Sequence, residues 1–314
     1  MKKFLSAVIC FMLVFSLCAC SNGETQSDDG KLKIVTTFFP PYDFARQICS
    51  DCAEVIMLLP PGSEAHNYEP TVADMAKINS ADIVIAAGGN LDSWIEKSVS
   101  VADSKVELIK MTDSVELVKT EHSECTDEQC HEHGHEHGDG YDEHVWTSPK
   151  NVMKIVEDLC EKISKADPEN AGNYRKNTDE YLKKLGKLDS DFREAVKNGK
   201  RQEIVFAERF PFRYFAEEYG LEYYAAFSGC SSQNEPSLQT ISFLVNKVKE
   251  DHIPVVFYIE FSSETVADTI CRETGVKKLL FHSCHNVSVD DFKAGVTYLD
   301  LMEQNLKNLK EALA

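Results

Sequence analysis

The sequence lacks the short motifs that carry common enzyme chemistries. It contains no glycine-rich phosphate loop of the Walker type, no G-x-S-x-G nucleophile elbow and no H-E-x-x-H metalloprotease helix. No pairing of a nucleophile with a general base is visible either. We therefore predict that the chain is not an enzyme.

Positive charge is scarce as well. The chain has 33 Lys and Arg residues against 52 Asp and Glu residues, and its formal net charge is −19. A nucleic-acid partner requires a basic face, so this balance argues against nucleic-acid binding. It suits a soluble domain that is held near a membrane without lying on it.

Long apolar runs are confined to the N-terminus. Lys2 and Lys3 precede an apolar stretch, residues 4–17, that is too short for a durable membrane span. The stretch ends in Leu-Cys-Ala-Cys20, the pattern of a bacterial lipoprotein cleavage site. We predict that residues 1–19 are a signal peptide, that Cys20 is lipidated and anchors the chain outside the cytoplasm, and that residues 20–30 are a flexible tether. An ordinary signal peptide cut elsewhere and an uncleaved anchor are the alternatives.

Nine cysteines would remain after cleavage, in a compartment that permits disulfides. Sequence alone does not fix their connectivity. Cys49 and Cys52 have the spacing of a redox motif, but they stand at the end of a predicted helix with no strand before it. This context favours a local disulfide or two free thiols over a redox centre.

Short apolar runs alternate with helical patterns along most of the chain. Runs without strict polar alternation, such as residues 33–38, 82–87 and 254–259, predict strands that are covered on both faces. Strand and helix in alternation predict parallel sheets. We expect an α/β protein with an N-terminal lobe over residues 31–147 and a C-terminal lobe over residues 201–314.

A helical region separates the two predicted lobes. Apolar residues recur at three- and four-residue spacing over residues 148–200, with a restart at Pro168. A helix of about thirty residues would span roughly 45 Å, which is enough to join two lobes rigidly. The two lobes would then leave a cleft between them, at the carboxyl ends of their strands. We also predict a helical segment that closes the chain, over residues 290–313.

Two histidines of the N-terminal lobe are candidate metal ligands. His66 lies in a loop directly after a predicted strand, and Glu69 is placed to orient it. His144 ends an acidic loop and is followed two residues later by Trp146. Imidazole nitrogens suit Zn²⁺ and other borderline metals. A capping or loop role is the alternative for His66.

The C-terminal lobe offers further candidates after its strands. The first residue after a strand is the one expected to face the cleft, so we favour His282 as a ligand and treat His285 as secondary. Glu208 and Glu260 also follow strands, and either is a candidate carboxylate ligand or a surface ion-pair partner. Arg209 cannot ligate a cation and is expected to pair with one of these acids.

A histidine-rich tract occupies the loop over residues 119–143. It has no apolar period, so we predict a mobile surface loop. Its imidazoles would bind zinc weakly, as a collector or sensor, and they favour zinc over manganese or iron. A solvated loop that binds nothing is the alternative. The auxiliary candidates are His122, His131, His133, His135 and His137.

Several segments together resemble a known family. They are FFPPYDFARQI, LLPPGSEAHNYEPT, EHVWTSPKN, RYFAEEYGL, IPVVFYIE and TYLDLMEQNLKNL, in this order from about residue 31 to the C-terminus. The chain resembles the metal-specific solute-binding lipoproteins of bacterial ABC importers for zinc and manganese. The resemblance implies two α/β lobes bridged by a rigid helix, with one metal between them held by three or four His or carboxylate ligands.

The resemblance also implies which residues would bind the metal. His66 and His144 match the two N-terminal ligands, whereas Arg209 stands at the third ligand position. Adjacent Glu208 is expected to take that role after a one-residue adjustment, His282 aligns with the fourth ligand, and Glu260 would lie behind the ligands. A set of three histidines and one carboxylate suits tetrahedral zinc.

The resulting hypothesis is a monomeric, high-affinity zinc receptor that delivers the metal to the permease of an ABC-type importer. Two rivals stay open: the same scaffold carrying manganese or iron, and a surface zinc buffer or adhesin-like lipoprotein. A zinc hydrolase with Glu208 as base is a weaker third.

Overall fold

The computed structural model describes residues 30–102, 105–119, 140–227 and 236–314. Contacts divide the chain into a first unit, Met1–Lys31, and a second unit, Leu32–Ala314, and the description below concerns the second. The predicted signal peptide, the lipidation site Cys20 and the five histidines of the histidine-rich tract lie outside the described residues.

The N-terminal lobe is a four-stranded parallel sheet. Its strands are β1 (Leu32–Thr36), β2 (Ala53–Met57), β3 (Ile83–Ala86) and β4 (Glu107–Lys110), in the order β2-β1-β3-β4. Every residue of β3 is buried, as expected for an inner strand with both faces covered. The helices between the strands are α1 (Phe39–Cys49), α2 (Val72–Asn79) and α3 (Trp94–Ser100).

The C-terminal lobe repeats this arrangement. Its strands are β5 (Glu203–Phe206), β6 (Glu222–Ala225), β7 (Val255–Tyr258) and β8 (Lys277–Leu280), in the order β6-β5-β7-β8, and all pairs are parallel. Its helices are α6 (Arg213–Tyr219), α7 (Leu238–Glu250) and α8 (Thr265–Thr274); we number the two helices between the lobes α4 and α5. In each sheet the first strand, β1 or β5, lies between two others. Because all strands are parallel, the loops that follow them all start at the same edge of the sheet.

Two long helices join the lobes. They are α4 (Pro149–Ala166) and α5 (Ala171–Asn198). The 28 residues of α5 span about 42 Å. Helix α5 packs on α4, on α1 of the N-terminal lobe and on the C-terminal helix of the chain, so it is supported along its length. The predicted class, two α/β lobes joined by a rigid helix, is confirmed.

The C-terminal end is helical, as predicted, and consists of two helices. They are α9 (Val289–Ala294) and α10 (Tyr298–Ala312). Gly295, with φ of 74°, ends α9. Thr297 and Asp300 then form a capping box that starts α10.

A buried carboxylate ties the N-terminal lobe to α10. Asp43 of α1 accepts a hydrogen bond from the backbone N–H of Tyr298 at 2.8 Å and one from Arg46 at 2.8 Å. Arg46 in turn donates to the carbonyl oxygens of Gly295 and Val296. Burial raises the pKa of Asp43, while Arg46 opposes this shift. The start of α10 is therefore fixed against α1.

The described cysteines are free thiols. Cys49 and Cys52 form no disulfide, and neither do Cys160, Cys271 and Cys284. This agrees with one of the two alternatives for the redox-like spacing. Among the residues that the structure describes, no helix combines the length and apolarity needed to cross a bilayer.

The connecting helix should be a main source of stability. Leu185 is fully buried on α5, so Leu185→Ala removes buried methyl groups and leaves a cavity. We expect a loss of about 2–5 kcal/mol in the free energy of unfolding, measured by urea denaturation. Lys184→Ala, at an exposed position of the same helix, is the control and should change this value by less than about 0.5 kcal/mol. A loss below about 1 kcal/mol for Leu185→Ala would show that α5 is not part of the rigid core.

Candidate metal centre

The loop after β2 carries His66 and is bonded to the loop after β8. The backbone N–H of Gly62 donates to the carbonyl oxygen of Val287 at 2.8 Å. The side-chain amide of Asn286 donates to the carbonyl oxygens of Pro60 and Ser63 at 2.8 and 2.9 Å. These bonds cross from one lobe to the other. They hold His66 beside the segment that carries His285.

His144 is oriented by a carboxylate two residues before it. Asp142 Oδ1 accepts hydrogen bonds from both the backbone N–H and Nδ1 of His144, each at 2.8 Å. Burial alone would raise the pKa of Asp142, but the charge and hydrogen bonds of His144 outweigh it, and the pKa lies below its usual value. When the imidazole of His144 carries a single proton, the hydrogen bond to an ionised Asp142 holds that proton on Nδ1, and Nε2 then carries the lone pair that a metal needs.

His285 is oriented by a serine and a glutamate. Glu260 accepts hydrogen bonds from the backbone N–H of Ser283, at 2.7 Å, and from its hydroxyl. A hydroxyl has one proton, so Ser283 Oγ accepts from Nδ1 of His285, which lies 2.5 Å away. Nε2 of His285 then carries the lone pair. Among the described residues, this buried nitrogen has no hydrogen-bond partner.

The three imidazoles converge on one point. One nitrogen from each of His66, His144 and His285 lies within 4.8 Å of the others. The ring centroids are 5.0 to 6.0 Å apart. Donors around a tetrahedral zinc ion with 2.0–2.1 Å bonds are about 3.4 Å apart, so small rotations of the side chains would close the site around an ion.

The environment keeps the central imidazole neutral. Burial, reinforced by the neighbouring histidines and by Arg209, holds the pKa of His285 well below its usual value. A neutral imidazole is the form that binds a metal. The unpaired Nε2, the fixed tautomers and the low pKa all fit a divalent cation with a preference for nitrogen.

Trp146 forms the wall behind the cluster. Its ring lies 5.2 Å from that of His144 and 5.1 Å from that of His285, between centroids. It is fully buried, and its indole N–H donates to the carbonyl oxygen of Ser283 at 2.9 Å. The indole therefore excludes water from one side of the cluster and links the two ligand segments.

His282, which the sequence favoured, is not one of the three. Its backbone N–H and carbonyl are both bonded to the side chain of Asn305 on α10. Its Nδ1 accepts a hydrogen bond from the backbone N–H of Cys284. Cys284 has φ of 64°, and this left-handed residue turns the chain so that His285 faces His66 and His144. The first residue after the strand is therefore not the one that reaches the cluster.

The acidic candidates lie around the cluster and not in it. Glu260 contacts Ser283, which in turn contacts His285, so its carboxylate does not reach the centre of the cluster. Glu69 is exposed, and the backbone N–H of His66 is bonded to Glu64 instead. Glu208 is half-buried, and burial raises its pKa against the opposing charge of Arg209. The structure does not bring Glu208 within the group of three histidines.

An open pocket adjoins the cluster, and Arg209 lines it. Among the described residues, no ion pair joins Arg209 to Glu208 or Glu260, but the charge of Arg209 acts to lower the pKa of Glu208, so its pairing with one of these acids stays a prediction. The pocket is lined by Ser63, Glu64, Ala65, His66, Arg209, Pro211, Ile259, Glu260, Phe261, Ser283, His285 and Asn286.

The sequence analysis did not predict the roles of Asp142, Ser283 and Asn286 around the cluster. Asp142 and Ser283 each stand two residues before a histidine of the cluster, a spacing at which a short polar side chain can reach the following imidazole. This pattern was a usable signal. The role of Asn286 depends on the other lobe, 223 to 226 residues earlier in the chain, and no local pattern indicates it.

The ends of the histidine-rich loop lie beside the cluster. Lys119 and Tyr141 form an isolated antiparallel bridge, and the backbone N–H of Asp142 donates to the carbonyl oxygen of Val118 at 2.8 Å. The described chain on either side of residues 120–139 is therefore paired three residues before His144.

The chain is similar to known zinc-binding proteins. It is 36% identical over 312 residues to the zinc-binding lipoprotein AdcA of Streptococcus pneumoniae, covering 99% of this chain and 61% of that protein. It is also 36% identical over 309 residues to the high-affinity zinc uptake system protein ZnuA of Bacillus subtilis, covering 97% of this chain and 95% of that protein. The chain thus spans only about three-fifths of the length of AdcA.

Solved structures share the fold. The Zn(II)-bound ZnuA-like domain of Streptococcus pneumoniae AdcA superimposes with a TM-score of 0.75 at 34% identity, covering 90% of this chain and 99% of that domain. The metal-dependent lipoprotein YcdH of Bacillus subtilis gives a TM-score of 0.75 at 31% identity, covering 90% of this chain and 100% of that one. The model of the family described as zinc-uptake complex component A, periplasmic (ZnuA), matches residues 34–312, so the chain belongs to that family.

Proposed function

We propose that this protein is an extracytoplasmic zinc-binding receptor that delivers the ion to the permease of an ABC-type importer. The observation that carries the proposal is the convergence of three imidazoles from two lobes, where a buried nitrogen of His285 has no hydrogen-bond partner among the described residues. Buried polar atoms normally have a partner, and a metal ion at the centre of the cluster would supply one to this nitrogen. The family relation points to the same function.

The donor set favours zinc over manganese. We propose His66, His144 and His285 as the ligands, with His285 in place of His282. Imidazole nitrogens suit zinc, whereas Mn²⁺ favours carboxylate, carbonyl and water oxygens. Glu208 stays the sequence-based candidate for a fourth, carboxylate ligand, and a rotation of its side chain would be required to bring it in.

The geometry indicates capture without a large hinge motion. The hydrogen bonds of Gly62 and Asn286 already join the two ligand loops, and α5 resists bending between the lobes. Small rotations of the three imidazole side chains would then bring their nitrogens to the zinc ion. The zinc-bound protein would differ from the zinc-free protein mainly in the rigidity of the loops after β2 and β8. The permease would recognise the zinc-bound form.

The proposed function includes a membrane anchor, a monomeric state and a role for the histidine-rich loop. We propose that Cys20 is lipidated and anchors the protein to the outer face of the cell membrane. The receptor would act as a monomer. The histidine-rich loop, with its ends beside His144, would collect zinc near the site.

Replacing His285 tests the ligand assignment. His285→Ala should weaken zinc binding by more than the ten- to hundredfold that loss of an orienting partner causes, because a direct ligand is removed. The measurement is competition titration against a chromophoric zinc chelator. His66→Ala should behave in the same way. His282→Ala is the matched comparison and should have a smaller effect. If His282→Ala causes the greater loss, the sequence-based assignment is the correct one.

Replacing Ser283 tests the orienting chain from Glu260. Ser283→Ala removes the hydroxyl that fixes the tautomer of His285, and we expect zinc affinity to fall roughly ten- to hundredfold. Ser242→Ala, on the exposed face of α7, is the control and should bind zinc as the unmodified chain does. Unchanged affinity in Ser283→Ala would contradict the orienting role.

Removing the histidine-rich loop separates a receptor from a zinc buffer. A chain without residues 121–140 should keep one tight zinc site, because the proposed ligands lie outside the deletion. The stoichiometry and affinity are measured by isothermal titration calorimetry. Loss of nearly all zinc capacity would indicate a buffer whose binding groups are in the loop.

A further inference from the structure

Arg209 has a position that the three-histidine site does not explain. It follows β5 and lines the same pocket as His66 and His285. No carboxylate of the described chain lies within ion-pair distance of its guanidinium, although Glu64 and Glu260 line the pocket and the charge of Arg209 acts on the neighbouring Glu208. A guanidinium is always charged and cannot ligate a cation. Next to a bound dication it would be repelled.

The carboxylates nearest the cluster already have other roles. Asp142 accepts two hydrogen bonds from His144, and Glu260 accepts two from Ser283. Asp142 contacts Nδ1 of His144 directly, and Glu260 contacts Nδ1 of His285 through the hydroxyl of Ser283. Glu208 is not among the residues that line the pocket. Within the described residues, the cluster offers three nitrogens and no carboxylate oxygen at the same centre.

Tetrahedral zinc needs a fourth donor, and the open side of the cluster is the pocket that Arg209 lines. The mouth of the pocket includes Glu64, which is exposed, and Phe261, which is 48% exposed. A small molecule from solvent can therefore reach the fourth position.

We propose that a small oxyanion of carboxylate type, taken from solvent, completes the zinc coordination and is held by the guanidinium of Arg209. This inference rests on the proposed function and specifies which ligand occupies the fourth coordination position of the bound zinc. The planar fork of arginine matches the two oxygens of a carboxylate or bicarbonate group. Without an anion, the zinc dication and the guanidinium of Arg209 repel each other. An anion between them is attracted to both.

The proposal gives Arg209 a role in specificity and release. The protein would bind zinc together with its anion and would bind zinc weakly without it. Loss of the anion would restore the repulsion between Arg209 and the dication. That change would lower zinc affinity at the moment of transfer.

The test is zinc affinity as a function of the anion present. Competition titrations use residues 20–314 in a bicarbonate-free, non-coordinating buffer, with sodium perchlorate as the ionic-strength control. Millimolar acetate or bicarbonate should raise the zinc affinity of the unmodified chain roughly ten- to hundredfold, the range of a charge-assisted hydrogen bond. The separate acetate and bicarbonate arms show which oxyanion is preferred.

Two variants locate the effect. Arg209→Met keeps the length of the side chain without its charge and should remove the response to acetate and bicarbonate. Arg272→Met, at a position that is 67% exposed on α8, is the control and should keep that response. With Co²⁺ in place of zinc, addition of the anion should change the visible absorption spectrum of the unmodified chain but not that of Arg209→Met. The spectrum reports the fourth ligand directly.

Two results would overturn the inference and leave the zinc receptor intact. One is tight zinc binding that does not depend on the anion, above all if Glu208→Gln abolishes it, because the chain's own carboxylate would then fill the fourth position. The other is an anion response that persists in Arg209→Met. Failure to bind zinc with any anion would instead refute the proposed function.

Discussion

The site depends on hydrogen bonds that cross between the lobes. The amide of Asn286 binds two carbonyl oxygens of the loop after β2, and Gly62 donates back to the loop after β8. These bonds align His66 of one lobe with His285 of the other. Because they are made by backbone and amide groups, they leave the imidazole nitrogens of the cluster available to a metal.

The parallel architecture supplies these loops at the same place. Each sheet has its first strand inside, so the carboxyl ends of the strands open toward one edge. Helices α5 and α10 then pack the lobes together, and Asp43 fixes the start of α10 against α1. The orientation of His144 and of His285 depends on local contacts. It is set by a short polar side chain two residues earlier, Asp142 for His144 and Ser283 for His285.

The sequence predicts the architecture better than it predicts the site. Apolar periodicity reveals every described strand and the long helix, because burial imposes that period directly. His66 and His144 were identified from their positions beside a strand and an aromatic residue. The sequence favours His282, whereas the described structure brings His285 to the cluster. The difference depends on Asn305, which lies on a helix 23 residues later, and on the left-handed turn at Cys284. Side-chain direction beyond a strand end is a tertiary property.

The bridge between Lys119 and Tyr141 has a consequence for the backbone that carries His144. It pairs the two described stretches of chain on either side of residues 120–139, and the backbone N–H of Asp142 donates to the carbonyl oxygen of Val118 beside it. The carboxylate that accepts from Nδ1 of His144 is therefore attached to a stretch of backbone that is itself held in register by its neighbour.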